Sequence, residues 1–322
     1  MNRSSNIGVR APEFPANHVW INSKPLSHKM LKGKIVLVDF WTYSCVNCLR
    51  TLPRLREWHK KYAKKGLVIV GVHTPEFTFE GNELNVRRAV EDLKIEYPVV
   101  LDSKYAIWNL YANHWWPRKL LVDKTRTIIY DHIGEGGYAK TEEAIQRALV
   151  ASGARGMPKI VLDEDGGGGV CEPLTQETYL GFERGRYANA NIVARHRHAY
   201  KDGARTHGER PSLEGAWTVM SEYAKSHGSS LYMPYMAGEV NIVMDANGNE
   251  AVEVEILRNG KMVPYTVAGD DVSFVQNKSV VRVDAPRMYR LLNAPNREEG
   301  VLKLRVDDGA RLYAFTFGGG CG

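Results

Sequence analysis

The stretch Lys34-Ile35-Val36-Leu37-Val38-Asp39-Phe40-Trp41-Thr42-Tyr43-Ser44-Cys45-Val46-Asn47-Cys48 decides the reading of this chain. Its first eight residues form an almost unbroken apolar run of strand length, the pattern of a strand covered on both faces. Downstream, Leu52, Leu55, Trp58, His59 and Tyr62 recur at helical spacing, interrupted by Pro53, and Gly66 ends the helix predicted over 49–62. The Cys-x-x-Cys pair therefore stands where a buried strand hands over to a helix. There Cys45 meets free backbone N–H groups and the positive end of the helix dipole, both of which favour a thiolate. Cys48, one turn further in, is more shielded. Cys45 is the expected nucleophile and Cys48 the resolving cysteine.

Asp39 interrupts the apolar strand. A carboxylate buried there is costly unless it has a task, and burial raises its pKa toward neutrality. Six residues before Cys45, it is placed to take a proton from Cys48. A third feature is Trp116-Pro117, just before a predicted strand over 119–123; a cis bond there would set a backbone edge against the cysteines.

Working outward, Leu67 to Val72 is a second buried strand, Glu83 to Leu93 a polar helix and Tyr97 to Leu101 a short strand. Asp102-Ser103 is expected to cap a helix running to Tyr111. A hairpin joins 119–123 to 127–130, and Thr141-Glu142-Glu143 is expected to open a last helix through Leu149. This alternation predicts a three-layer α/β domain over residues 1–152. Residues 153–170, with four consecutive glycines at 166–169, read as a linker. Beyond it, residues 171–322 carry strands without helices: 241–244, 251–257, 263–267, 279–283, 300–306 and 312–317, separated by turns such as Arg258-Asn259-Gly260. That spacing predicts an all-β sandwich, jelly-roll-like.

Composition sets the outer limits. The chain has 322 residues, 43% hydrophobic and 25% charged, an ordinary globular balance that excludes wholesale disorder. No apolar run approaches the ~18 residues of a membrane helix, and Met1 to Ser5 lead into no apolar segment, so neither a membrane span nor a signal peptide is expected in the chain as written. The net charge of +6 is spread along the chain. Its one basic knot, Arg195-His196-Arg197-His198, reads as a solvated loop, so no nucleic-acid partner is expected. No cofactor or metal is expected either: a zinc site needs four ligands, no second cysteine pair stands at suitable spacing, and although His73 and His114 are candidates to join Cys45 and Cys48, a strand-to-helix junction is a poor zinc knuckle.

Here the residues carry a resemblance. Val38-Asp39-Phe40-Trp41 followed by Cys45-x-x-Cys48 and Pro53 resembles the thioredoxin family, and the added helix and strand over 83–101 resemble its TlpA/ResA-type branch. The run Asp39 to Pro53, with Gly71 to Phe77 and Gly134 to Tyr138, is similar to the thioredoxin-like part of DipZ-type proteins. So are Glu177 to Gly181, Gly215-Ala216-Trp217 and Phe315 to Gly318 beyond the linker. The resemblance covers most of the chain. It implies a thioredoxin fold, a cis-Pro117, a second domain like a carbohydrate-binding module, and thiol–disulfide exchange with client proteins outside the cytoplasm, fed by a membrane electron donor related to DsbD. It also implies Glu76 as a second acidic group near the cysteines. Trp116, Pro117, Val46 and Asn47 are the expected client contacts. Ser44 stands where thioredoxins carry Trp, and Val46-Asn47 replace Gly-Pro, so the redox potential does not transfer from thioredoxin.

Other readings stay open. Thr42-x-x-Cys45 resembles the peroxiredoxin nucleophile motif, although Val38 stands where its proline would, which keeps a thiol peroxidase as an alternative. A purely binding protein is another, with a glycan or partner held by aromatics such as Tyr187, Trp217, Tyr223, Tyr232 and Tyr235. Cys171 and Cys321 bracket the second domain and are expected to form a structural disulfide in an oxidising compartment.

Overall fold

The computed structural model describes residues 6–160, 174–189, 191–201, 203, 208–248 and 251–319. The chain divides into two compact units, residues 1–166 and 167–322. Among the described residues no helix is long and apolar enough to cross a membrane.

The first unit runs β1 (Trp20–Ile21), β2 (Ile35–Trp41), α1 (Val46–Tyr62), β3 (Leu67–His73), α2 (Glu83–Asp92), β4 (Val99–Leu101), α3 (Ala106–Leu110), β5 (Arg118–Val122), β6 (Ile128–Ile133) and α4 (Tyr138–Ala151). Its sheet has the order β1-β4-β3-β2-β5-β6, with β2, β3 and β4 parallel and the other pairs antiparallel. This is the α/β thioredoxin fold. Every residue of β2 is buried because both sheet faces are covered. Strand alternation sends Ile35, Leu37 and Trp41 into the core beneath α1, α2 and α4, and Val36, Val38 and Phe40 into the core shared with α3. Asp39 belongs by the same alternation to the α1 side.

Two helix starts differ from expectation. Helix α4 opens at Tyr138, three residues before Thr141, because Gly137 supplies a left-handed N-cap at φ 59°. Glu142 therefore does not serve the helix start; it is buried, accepting from the Tyr62 hydroxyl at 2.6 Å and Lys61 Nζ at 3.2 Å, and ties α4 to α1. Helix α3 is shorter than predicted. The Asp102 carboxylate reaches into it, accepting from the N–H groups of Ile107 at 2.9 Å and Trp108 at 2.8 Å.

The second unit contains β7 (Thr178–Tyr179), β8 (Arg197–Tyr200), β9 (Ser212–Val219), β10 (Ala224–Ser226), β11 (Ser229–Asp245), β12 (Val252–Arg258), β13 (Lys261–Met262), β14 (Ser273–Val275), β15 (Lys278–Val283), β16 (Arg287–Val306) and β17 (Arg311–Gly318). They form one antiparallel sheet in the order β14-β15-β12-β16-β11-β17-β10-β9-β8, with β13 beside β12 and β7 beside β17. The long strands β11 and β16 pair from Ser229↔Val306 to Met244↔Arg287, with irregularities near Gly238 that let them bend. Beyond that bend β12 pairs with one end of β16 and β17 with the other end of β11, so one sheet supplies both layers around a single core. The strands expected at 241–244 and 300–306 are the ends of these longer ones. Residues 263–267 form no strand; after Pro264 they close a 3₁₀ turn, Tyr265–Val267. The Asn259-Gly260 turn has positive φ at both positions, 51° and 76°, as a two-residue hairpin requires. Cys171 and Cys321 lie outside the described residues, and their expected pairing stays an expectation.

One close approach in the first unit invites a test. A side chain on Gly71 would place Cβ 2.9 Å from Trp41 Nε1 and 3.2 Å from Tyr97 Cε2, both rings being buried. Gly71→Ala is expected to lower stability by roughly 1–3 kcal/mol in urea denaturation of the full chain, the usual cost of overpacking. An unchanged midpoint would show that the two rings give way freely.

Candidate active site

β2 ends at Trp41, and Thr42, Tyr43 and Ser44 carry the chain to Cys45, the N-cap of α1. Cys45 has extended geometry, and its sulfur accepts the Cys48 N–H at 3.3 Å. No acidic residue occupies the first turn of α1, so nothing offsets the positive end of the helix there. Cys45 is half-buried and Cys48 fully buried, and both are thiols in this structure. Burial pushes the Cys48 thiol well up, reinforced by the Cys45 sulfur and by Asp39. A proton acceptor is therefore needed before Cys48 can react.

Asp39 stands on the same side of the sheet, fully buried. Burial raises its carboxyl to about 6, against the lowering pull of Lys119, whose Nζ lies 3.9 Å away and is itself fully buried. A carboxyl poised near 6 can exchange protons near neutral pH. The structure thus brings Cys45, Cys48 and Asp39 together.

The acidic group that touches the loop before Cys45 is Glu80. It is fully buried and accepts from Thr42 Oγ1 (2.5 Å), Ser44 Oγ (2.7 Å), Ser44 N (3.1 Å), Glu76 N (2.7 Å) and Phe77 N (2.9 Å). Burial raises its pKa and these donors oppose the rise. Glu76, the position expected from the resemblance, gives this cluster its backbone N–H. The available signal was local: Glu80 is the third residue after Phe77, where a side chain can reach back to the amides that open a helical turn.

His73, weighed as a metal ligand, is buried with Nε2 3.4 Å from Thr42 Oγ1 and its ring packed against Trp41 and Tyr43; burial holds its pKa down to about 3, so it is neutral. Among the described residues no group of three or more His, Cys, Asp or Glu side chains is arranged to hold a metal.

The Trp116–Pro117 bond is cis. Trp116 is fixed by Nε1 donating to Thr74 O at 3.1 Å and by its ring 4.2 Å from Trp108. Behind this loop, Arg118 is buried and makes a two-pronged bond to Asp131 (2.9 and 2.7 Å) while donating to Ala112 O at 3.2 Å. Of the residues between the cysteines, Val46 is buried and Asn47 is exposed, accepting from Arg50 at 3.3 Å.

In the second unit, Tyr187, Trp217 and Tyr235 belong to the core. Tyr223 packs on Tyr313 under Arg311, and the Tyr232 hydroxyl donates to Glu214 at 2.6 Å. The most exposed aromatic is one not singled out beforehand, Tyr265, with 70% of its surface free and its ring 3.8 Å from Phe274.

Comparison with known proteins agrees with this geometry. Residues 7–131 match the AhpC/TSA family, and residues 175–318 match the thioredoxin-like C-terminal domain. The chain is 31% identical over 325 residues to Protein DipZ of Mycobacterium tuberculosis, covering 96% of this chain and 43% of that protein, so it spans less than half the length of this relative. It is 29% identical over 141 residues to the thiol-disulfide oxidoreductase ResA of Bacillus cereus (44% of this chain, 78% of ResA). Against YkuV of Bacillus subtilis, also named a thiol-disulfide oxidoreductase, the identity is 25% over 138 residues (43% of this chain, 93% of YkuV). With its Cys45–Cys48 pair at the start of α1, the chain joins a thioredoxin-like domain of AhpC/TSA type to a thioredoxin-like C-terminal domain; it is similar to DipZ over 96% of its length and to ResA and YkuV over less than half of it.

Proposed function

We propose that this chain exchanges disulfides with client proteins through Cys45 and Cys48. One observation carries the reading: an accessible sulfur at a helix N-cap, with a shielded thiol one turn in and a buried carboxyl on the same side of the sheet. In the reducing direction the Cys45 thiolate attacks one sulfur of a client disulfide. A Cys45–client bond forms, and the other client sulfur leaves as a thiolate that takes a proton from solvent. Cys48 then gives its proton to the Asp39 carboxylate and attacks Cys45. The Cys45–Cys48 disulfide forms, and the client is released with two electrons gained. The oxidised chain needs a dithiol donor to restart, and a membrane protein related to DsbD is the class the resemblance suggests.

In this reading Trp116, cis-Pro117 and exposed Asn47 form the client edge, and Glu80 holds Ser44 and Thr42 in place beside Cys45. The peroxidase alternative asks the Thr42 hydroxyl to serve peroxide at Cys45, whereas that hydroxyl donates to Glu80. For the second unit, exposed Tyr265, packed on half-buried Phe274, is the best-placed surface for a sugar ring or a partner side chain.

A peptide with one intramolecular disulfide tests the exchange chemistry. Cys48→Ser is expected to accumulate a 1:1 mixed disulfide with it, and Cys45→Ser to lose turnover by about 10³-fold or more. Sulfenic acid on Cys45 with peroxide, without adduct formation on the peptide, would favour the peroxidase instead.

The Asp39 carboxyl gives a separate test. Its folded pKa is raised, so its stabilising contribution is complete below the unfolded value near 4 and is lost as pH climbs through about 6. The stability difference between wild type and Asp39→Asn is expected to shift by up to roughly 3 kcal/mol between pH 4 and pH 7, against wild type at the higher pH. A constant difference across that window would mean that Asp39 titrates as an ordinary carboxylate.

A further inference from the structure

On the side of the sheet beneath α1, Asp39, Lys119 and Tyr97 are fully buried polar side chains. Lys119 faces Asp39 from β5, and β3 offers only Gly71 as the register partner on the other flank. The Tyr97 ring fills the room that a side chain at Gly71 would take. Cys48 completes the surroundings from α1, and the Tyr97 hydroxyl feels Asp39, Arg56 and Cys48. Neither Asp39 oxygen, nor Lys119 Nζ, nor the Tyr97 hydroxyl has a hydrogen-bond partner among the described residues. Each orphan of this kind costs about 1–3 kcal/mol. Four of them around one carboxyl mark a polar site of the kind that internal water bridges.

Tyr97, itself without exposed surface, borders a second space. It lines a cavity of about 410 Å³ behind α1 with Pro53, Arg56, His59, Lys60 and Glu96, several of them exposed, so the cavity meets solvent. The His59 ring lies 6.0 Å from that of Tyr97, and its Nδ1 is likewise unpartnered. Burial lowers the His59 pKa, with Glu96 opposing, which favours a neutral imidazole able to take and pass a proton. The exposed approach to Cys45, by contrast, is the side on which a client sits during exchange.

We propose that Tyr97 is a positioning residue for proton transfer, joining Asp39 to the cavity behind α1, so that the proton given up by Cys48 leaves through the back of the helix and not past the bound client. The proposal rests on the exchange reading above and extends it. The Cys48 S–H proton passes to Asp39. Asp39 returns to its carboxylate by giving a proton to bridging water at the Tyr97 hydroxyl, which hands one on toward His59 and the cavity. Tyr97 stays a neutral phenol throughout, because burial pushes its own ionisation well up.

The test is single-turnover oxidation of the reduced full chain by the one-disulfide peptide, followed across pH in H₂O and D₂O. Tyr97→Phe keeps the ring and removes only an unpaired hydroxyl, so its thermal midpoint should stay within about 2 °C of wild type or rise. Mixed-disulfide formation should be unchanged, while closure of Cys45–Cys48 slows by roughly tenfold or more with a larger solvent isotope effect. Added to Asp39→Asn, the same change should slow closure no further. Closure at the wild-type rate, pH profile and isotope effect in Tyr97→Phe would overturn the relay alone, as would equal slowing in the Asp39→Asn background. A wild type that never closes the disulfide would overturn the exchange reading, and the relay with it.

Discussion

The site depends on a carboxyl held where solvent does not reach. Asp39 occupies the one position of β2 at which the core beneath α1 would otherwise continue, and its close countercharge among the described residues, Lys119, is equally buried. Removing one member of such a pair leaves the other uncompensated, which is why buried pairs are costly to break and weak as a source of net stability. The arrangement makes better sense as chemistry. Burial raises Asp39 into the range where it trades protons, and the same burial raises the Cys48 thiol, so the two groups share a proton problem that each can solve for the other.

The rest of the first unit holds this centre still. Glu80 gathers five donors from the Thr42–Ser44 loop and the turn at Glu76–Phe77, fixing the backbone that delivers Cys45 to the N-cap. Arg118 does the same for the facing loop through Asp131 and Ala112. Both are buried ionisable groups whose hydrogen bonds hold loops in place, and neither has a hydrogen bond to Cys45 or Cys48 among those described. Preorganisation of this kind keeps the reacting atoms within reach without a cofactor-like scaffold.

Much of this was legible in the residues. The apolar run 35–41, the Cys-x-x-Cys at its end and the acid inside it predicted β2, the start of α1 and a carboxyl buried in the strand, because strand and helix periodicity act locally. What was not legible came from distant partners. The position of Glu80 three residues after Phe77 marks the turn it caps, but only the fold sets it against Thr42 and Ser44. Glu142 suited a helix start, but Gly137 opened α4 earlier and left Glu142 to bond Tyr62 across the core. Lys119 and Tyr97 sat in segments read simply as strands; sheet register sets Lys119 beside Asp39, and the bend before β4 turns the Tyr97 ring toward Gly71, the register partner of Asp39. In the second unit, alternation marked the strands, but not that β11 and β16 run through both layers, since a bend near Gly238 is settled by tertiary pairing.

The central claim is that Cys45 and Cys48 cycle together between dithiol and disulfide. Equilibration with a graded series of reduced and oxidised glutathione, followed by thiol labelling and mass measurement, tests it directly. The account predicts that both thiols disappear together in a single two-electron transition, with a midpoint between about −270 and −120 mV that fixes the direction of exchange. Loss of the Cys45 thiol alone, as a stable glutathione adduct or a higher oxide with Cys48 still free, would contradict it.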